Sequence, residues 1–464
     1  MRAMALWWLH KMLGSIWAQM RANPLLRHLL QVDAVVPPRP AHAVAAEVER
    51  NYKWNFTVNA ADGALFFLGR SFMSASTLVP LFISKLTTAP LALGLAAVIT
   101  QSAWFLPQLF MANLTQRLPR KKPLVVWLGL FSERLPLLLL AAAPLLALRA
   151  PRTALFLFML ALAWHHVGAG VIATAWQELV ERCFPVDRRG FFLGFTSFAG
   201  TGTGLLGAGL CTWILVRFAF PLNFFYIFCI AAGCNVVCVF LLALTREPLP
   251  AAAPVRRTHA EFWSSLPRIL RVEHNFRRFL LARMLLAFGD LGLGFVLVAM
   301  VQRLHVPDST AGIYTALMLA GTAVSNLASG WLADHYGHKF SLETAALAGV
   351  LAYSLAVWAP GLMWSYVAFA LLGYGIGAMV VSGTLVVLEL GESGERSTYI
   401  GLWNTSVGVA AATAPLLGAA LAYLGYGVVF AVGAAFNLLA LLALHWWVQD
   451  PRSLPAPASA RIDE

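Results

Sequence analysis

Apolar residues in this chain come in long unbroken runs rather than at alternating positions, and that pattern predicts most of the architecture. A helix crossing about 30 Å of hydrocarbon needs about 20 apolar residues. Runs of that kind fall at 59–84, 90–115, 123–148, 153–178, 190–216, 220–245, 279–302, 310–333, 340–359, 361–388, 398–422 and 426–447. The one long polar interval inside the series, 246–278, is rich in Pro, Arg and His. The pattern predicts an all-α membrane protein of twelve transmembrane helices, arranged as two six-helix bundles. Ahead of them, Trp8, Leu9, Met12, Leu13, Ile16 and Met20 recur at helical spacing beside Lys11 and Arg21, which suits an amphipathic helix on an anionic membrane face. A signal peptide fits less well, because Lys11 interrupts the apolar run and no small-residue cleavage site follows. Pro37, Pro38 and Pro40 then break the chain. The expected organisation is a cytoplasmic N-terminal segment (1–56), a first bundle (57–245), a cytoplasmic linker (246–278), a second bundle (279–448) and a cytoplasmic tail (449–464).

Composition agrees. Of 464 residues 59% are hydrophobic and 12% charged, where soluble domains carry about 25% charged residues. The net charge of +12 reads as topology rather than nucleic-acid binding: there is no dense basic tract, RNA-reading motif or zinc-finger spacing. Of the 33 Lys and Arg, 25 fall on the side that also holds both termini, five in the opposite loops and three (Arg70, Arg134, Arg283) within spans. Basic residues collect on the cytoplasmic side, so both termini are expected there, in an inner or plasma membrane. The five cysteines form no C-x-x-C and read as small apolar helix residues.

The two halves look like copies of one another. A shift of 218 residues sets Lys85-Leu86 on Arg303-Leu304, Gly94 on Gly312, Gln108 on Asn326 and Arg117 on His335. A shift of 207 sets Gly168-Ala169-Gly170 on Gly375-Ile376-Gly377, Arg189 on Arg396 and Gly194 on Gly401. Gly204 to Ala208 echoes Pro415 to Ala419.

Between two apolar runs lies Gly330-Trp-Leu-Ala-Asp-His-Tyr-Gly-His-Lys339. Small residues at Ala328, Ser329, Gly330 and Ala333 allow close helix contact, Asp334 meets water at the helix end, and Gly337 supplies a turn with positive φ. This stretch resembles the G-x-L-a-D-x-x-G-x-[RK] loop signature of the major facilitator superfamily, matching at Gly330, Leu332, Ala333, Asp334, Gly337 and Lys339. The resemblance covers about residues 57 to 448 and implies two bundles around a central cavity that opens alternately to each membrane face. Helices 1, 4, 7 and 10 would line the cavity, joined by 2, 5, 8 and 11. It also implies a cytoplasmic gate built from Gly330, Asp334, Gly337 and Lys339, their first-half counterpart Arg117, and the basic helix ends Arg189 and Arg396. The family's drug–proton antiporter patterns are incomplete here. Gln116 and Pro119 replace the first-half Asp and Gly, Trp164 stands where the fourth helix has Arg, and Leu205 stands where the fifth has Pro.

A charge at mid-bilayer costs at least about 2.5–3.5 kcal/mol, so each intramembrane charge is a candidate for function. Arg70 and Asp290 fall at similar depths in the first and seventh spans, with Arg283 one heptad before Asp290. The reading is that Asp290 binds a proton or a cationic group, while Arg70 binds an anionic group or pairs with Asp290; a static ion pair is the alternative. His165 and His166 in the fourth span either carry protons or hold helices together as neutral rings. Glu133 and Arg134 read as structural, whereas Asp62, Glu178, Glu181 and Glu389 read as cytoplasmic helix ends able to join gate salt bridges. Gln101 and Gln108 form one polar stripe, and Thr315, Thr322 and Asn326 another; either could line a cavity.

The function expected is secondary active transport of a small molecule by alternating access, coupled to an ion gradient (protons first), with export favoured over uptake. No nucleotide-binding loop, cofactor motif or metal-ligand set is present in the sequence. The expected partners are the substrate, protons and membrane lipid, with no nucleic acid, and the chain is expected to be a monomer. A non-transporting sensor or scaffold on the same fold is the first alternative. A membrane-embedded enzyme is the second, and it lacks a nucleophile–base set.

Overall fold

The computed structural model describes residues 23–31, 39–105, 107–108, 111, 115, 118–185, 188–249, 269–358, 361–390 and 396–450. The amphipathic helix expected before residue 22, most of the linker, most of the tail and Arg117 lie outside the described residues. The described residues are almost wholly helical: α1 (Pro24–Leu30), α2 (Ala41–Ser71), α3 (Leu78–Leu86), α4 (Pro90–Ser102), α5 (Leu124–Leu146), α6 (Pro151–Cys183), α7 (Arg189–Arg217), α8 (Leu222–Leu244), α9 (His274–Leu304), α10 (Thr310–Tyr336), α11 (His338–Trp358), α12 (Leu362–Leu390), α13 (Arg396–Ala422) and α14 (Tyr426–Trp447). Ten of these are long and apolar enough to cross a membrane, from α5 to α14.

The two expected spans outside those ten differ from the sequence expectation, each for a local reason. The first, expected at 59–84, starts eighteen residues earlier at Ala41, with Pro40 before the first turn. It then stops at Ser71 and restarts at Leu78. Ser71, Ser74, Ser76 and Thr77 crowd the break, and short hydroxyl side chains compete for the backbone groups that a helix would use. The Ser71 hydroxyl donates to the Leu68 carbonyl (2.6 Å), and Ser74 and Ser76 pair at 3.3 Å. The second, expected at 90–115, is regular only to Ser102 and turns at residues 103–105, shortly before Pro107. In α5 the hydrogen bonds slip to π spacing at Leu124–Leu128 and Leu130–Arg134. Pro136 follows directly, and it has no N–H to continue the ladder.

The chain forms two compact units. The first comprises Met1–Met73, Ala103–Gly207 and Phe220–Arg257; the second comprises Ser74–Ser102, Ala208–Ala219 and Thr258–Glu464. The second unit therefore contains the end of the first span, the start of the second and the end of the fifth, folded together with the C-terminal helices.

The internal repeat reappears as repeated packing. Within the second unit, a Cβ on Gly94 would meet Ala419 and the Pro415 carbonyl, and a Cβ on its repeat partner Gly312 would meet the Ala208 carbonyl and Thr212. Ala419 and Ala208 are themselves repeat partners. Within the first unit, Gly170 on α6 packs on the Trp104 carbonyl and Pro107; within the second, Gly377 on α12 packs on the Thr322 carbonyl and Ser325. Each of these four neighbours is again the 218-residue image of its counterpart.

Candidate functional site

The two helix breaks place charges where regular hydrogen bonding ends. Arg70 lies in the last turn of α2, exposed, with its guanidinium 6.0 Å from the centroid of the Phe66 ring. Asp290 opens a 3₁₀ turn, Asp290–Gly292, that interrupts α9. It makes no hydrogen bond or ion pair among the described residues, and Arg283 is the charge whose field reaches it.

Each break is set by the same pair of residue types. A Cβ on Gly69 would lie 2.9 Å from Asn235 Nδ2, and a Cβ on Gly289 would overlap the Asn437 amide. Both asparagines are buried and bond back one turn along their own helix, Asn235 to the Ala231 carbonyl (2.9 Å) and Asn437 to the Gly433 carbonyl (3.0 Å). A buried amide thus sits against the glycine just before the break, on the last helix of each half. Sequence reading missed these two asparagines, although an Asn deep in an otherwise apolar run is a visible signal in both α8 and α14.

In the first unit, Glu133 and Arg134 form a buried ion pair with one another. His165 Nδ1 donates to the Glu133 carbonyl at 2.7 Å, tying α6 to α5. His166 bonds within its own helix to the Leu162 carbonyl (3.0 Å), and the two rings meet edge to face at 4.9 Å. Asp62 is not at a helix end: α2 starts early enough to bury it mid-helix, where the field of Arg134 reaches it and one carboxylate oxygen has no partner.

The polar stripes hold less. Gln108 donates back to the Trp104 carbonyl (2.9 Å) and Gln101 is half-buried at the end of α4. In the second unit, Thr315 pairs with Thr77 (2.6 Å), Ser76 donates to Met318 Sδ (3.2 Å), Thr322 donates to the Gly373 carbonyl (2.9 Å), and Asn326 Oδ1 is buried without a partner. Lys85 and Asp308 close the α3–α10 contact with a 2.8 Å ion pair.

At the end that the charge bias assigns to the cytoplasm, Gly337 caps α10 with φ +87°, and its N–H donates to the Ala333 carbonyl (3.0 Å). Ser329 and Ala333 are buried as expected, whereas a Cβ on Gly330 would meet nothing within 4 Å, so Gly330 is not the close-contact residue of this stretch. Lys339 reaches the His445 carbonyl (3.2 Å) and Glu343 (3.6 Å). Arg189 donates to the Phe184 carbonyl (3.1 Å) and the Glu181 carbonyl, closing its own loop. Asp334 lies in the last turn of α10 and Arg396 begins α13; the side chains of both lie outside the described residues.

The first-half loop has a substitute for its missing acidic residue. Glu247, just past α8, accepts hydrogen bonds from the backbone N–H of Lys121 (2.8 and 3.1 Å) and of Lys122 (3.0 Å), and from the Arg182 guanidinium (3.3 Å). The Glu247 carboxylate therefore caps the N-terminal turn leading into α5. Lys121 is fully buried and pairs with Glu178 at 2.9 Å. Burial pushes its ammonium below the ordinary lysine range, and Glu178 opposes that shift. Asn55 exchanges two hydrogen bonds with Arg246 (3.0 and 2.9 Å), which straps the same segment to α2.

Fold and packing define an α-helical multi-pass membrane protein whose halves are related by repetition. Residues 279–463, the C-terminal part of the chain, match the sequence profile of the Major Facilitator Superfamily. The tetracenomycin C resistance and export protein of Streptomyces glaucescens is 29% identical over 163 residues, 35% of this chain and 30% of that protein. The niacin transporter NiaP of Acinetobacter baylyi is 25% identical over 177 residues, 37% of this chain and 39% of that protein. The chain thus spans only about a third of each curated relative. Among solved structures, the nucleoside transporter NupG aligns with TM-score 0.61 at 14% identity, over 84% of this chain and 98% of that one. A bacterial homolog of the human lysosomal transporter Spinster aligns with TM-score 0.61 at 15% identity, over 87% and 97%. At these identities the structural likeness establishes the fold.

Proposed function

We propose that this chain is a secondary active transporter of the inner or plasma membrane, with both termini cytoplasmic, moving a small molecule by alternating access as a monomer in contact with lipid. The observation that carries the reading is the pair of interrupted helices, each breaking at a glycine wedged by an asparagine and each carrying a charge at the break. Broken helices inside a membrane expose backbone groups that need a ligand or water, and charges placed there are functional by default. Arg70 serves in the first unit as an anion-binding group. Asp290 serves in the second as the group that takes a proton or a cation. Gln101, Gln108, Asn326, His165 and His166 supply further polar contacts. The contacts of Thr77 with Thr315 and of Lys85 with Asp308 act as the gate on the outer side. Arg117, Arg189, Arg396 and the 330–339 loop act on the inner side.

Coupling to a proton gradient and export rather than uptake complete the proposal. Export is supported by the likeness to a resistance and export protein. The test is flux in proteoliposomes with and without a pH gradient, comparing wild type with Asp290→Asn. We expect the variant to lose gradient-driven accumulation while keeping downhill exchange. Equal gradient-driven flux in both would remove Asp290 from coupling. Ligand binding with no flux in either direction would favour the sensor reading.

A further inference from the structure

Arg283 of α9 is a buried charge without a bonding partner among the described residues. It is 8% exposed, its Nε has no hydrogen-bond partner, and its guanidinium makes no hydrogen bond or ion pair among the described residues. Asp290, seven residues further along α9, forms no bond with it and acts on it only through its field. An arginine cannot shed its proton to escape burial. Asp290 acts on the guanidinium through its field alone, so the buried N–H groups are left without an acceptor, and the arrangement calls for one that carries negative charge.

A second orphan donor lies beside it. The Trp403 indole N–H is also buried without a partner. The two side chains come from different helices, α9 and α13, and meet at a third. A Cβ placed on Gly383 of α12 would lie 3.6 Å from the Trp403 ring and 4.0 Å from Arg283 Nε. Gly383 is thus a floor with no side chain beneath two unsatisfied donors. The walls are apolar: Leu402, Val386 and Tyr399 belong to the surrounding cluster, with Met379 packed against it.

We propose that Arg283 and Trp403 form a binding subsite for a monoanionic carboxylate, seated over Gly383 with its apolar body against the surrounding cluster. The proposal rests on the reading that the chain binds a small molecule, and names its class. One fixed positive charge balances one negative charge; a phosphate dianion would leave an uncompensated charge in the same low-dielectric surroundings. A neutral acceptor would satisfy the N–H groups and leave the guanidinium charge unbalanced. A carboxylate does both, and arginine binds it with particular strength.

The test uses the full chain in lipid nanodiscs, titrated with benzoate and with benzamide, its neutral isostere. Thermal unfolding and tryptophan fluorescence are the readouts. Benzoate is expected to raise the unfolding midpoint and benzamide is not. Arg283→Gln should abolish that discrimination. Trp403→Phe keeps the ring and the charge but removes the N–H, and should weaken benzoate about tenfold. Gly383→Ala adds a methyl at ordinary contact distances, so the protein should fold; the methyl fills the floor and should weaken benzoate comparably. These two variants decide the matter should Arg283→Gln fail to fold. Equal responses to benzoate and benzamide, no response to benzoate in wild type, or a benzoate response unchanged in the variants would overturn the subsite. Flux of labelled benzoate in proteoliposomes separates the two proposals. Binding without flux keeps the subsite and overturns transport; flux of another compound with no benzoate binding overturns the subsite alone.

Discussion

One cluster of buried charges in each unit follows the opposite rule from the other, on one repeated scaffold. In the first unit, Glu133 and Arg134 neutralise each other, His165 holds the Glu133 backbone, and Asp62 lies in the field of Arg134. In the second unit, Arg283 and Asp290 share a helix without touching, and neither has a bonding partner among the described residues. Yet both units repeat one frame: a glycine before a helix break, an asparagine against it, and small residues where helices cross. Packing has been kept through the duplication while polarity has diverged. A buried charge that is already paired contributes to architecture, and one left unpaired is available to something that arrives.

That contrast can be broken most directly by removing one charge from each unit. Glu133→Gln leaves Arg134 buried without its partner and should cost about 3–5 kcal/mol of stability. Arg283→Gln removes an unpaired charge and should raise the unfolding midpoint of the unliganded protein, measured side by side. A fall of similar size in both would make Arg283 structural too. Next in size, Gly289→Ala should destabilise by about 1–3 kcal/mol, because its methyl overlaps the Asn437 amide. Asn437→Ala in the same chain should recover part of that loss, as a double-mutant cycle on thermal unfolding would show. The smallest effect belongs to the partly exposed Lys85–Asp308 pair. Lys85→Ala should cost no more than about 1 kcal/mol, so any large change in flux from it would reflect gating rather than stability.

Much of this was legible in the sequence. Hydrophobic run length located the helices from α5 to α14 because bilayer thickness sets that length, and the glycine matches of the repeat located contacts that recur in three dimensions. Gly337 was readable as a positive-φ cap because its loop position demands one. The breaks at 72–77 and 290–292 were not readable, since hydropathy averages over a window longer than either. Asp62 was misplaced for a related reason: the polar first turns of α2, from Ala41 onward, look like linker until the helix they begin is seen. The capping role of Glu247 depends on two segments 125 residues apart in sequence meeting in space, which no local pattern encodes. Arg283 was visible as a charge, but its lack of a partner is a property of the neighbours on α12 and α13.

The assignment of Ser74–Ser102 to the second unit bears on how the chain is made. Gly94 finds Ala419, and Thr77 finds Thr315, only after more than two hundred further residues have left the ribosome. At synthesis rates of about 5–20 residues per second, that is a wait of roughly ten seconds to a minute. For that interval α3 and α4 are inserted without their final neighbours, and their small, closely packing faces are open to whatever else shares the nascent membrane. Biogenesis of this protein is therefore a problem of holding an early hairpin in reserve, which makes its first half a natural client for an insertase or membrane chaperone.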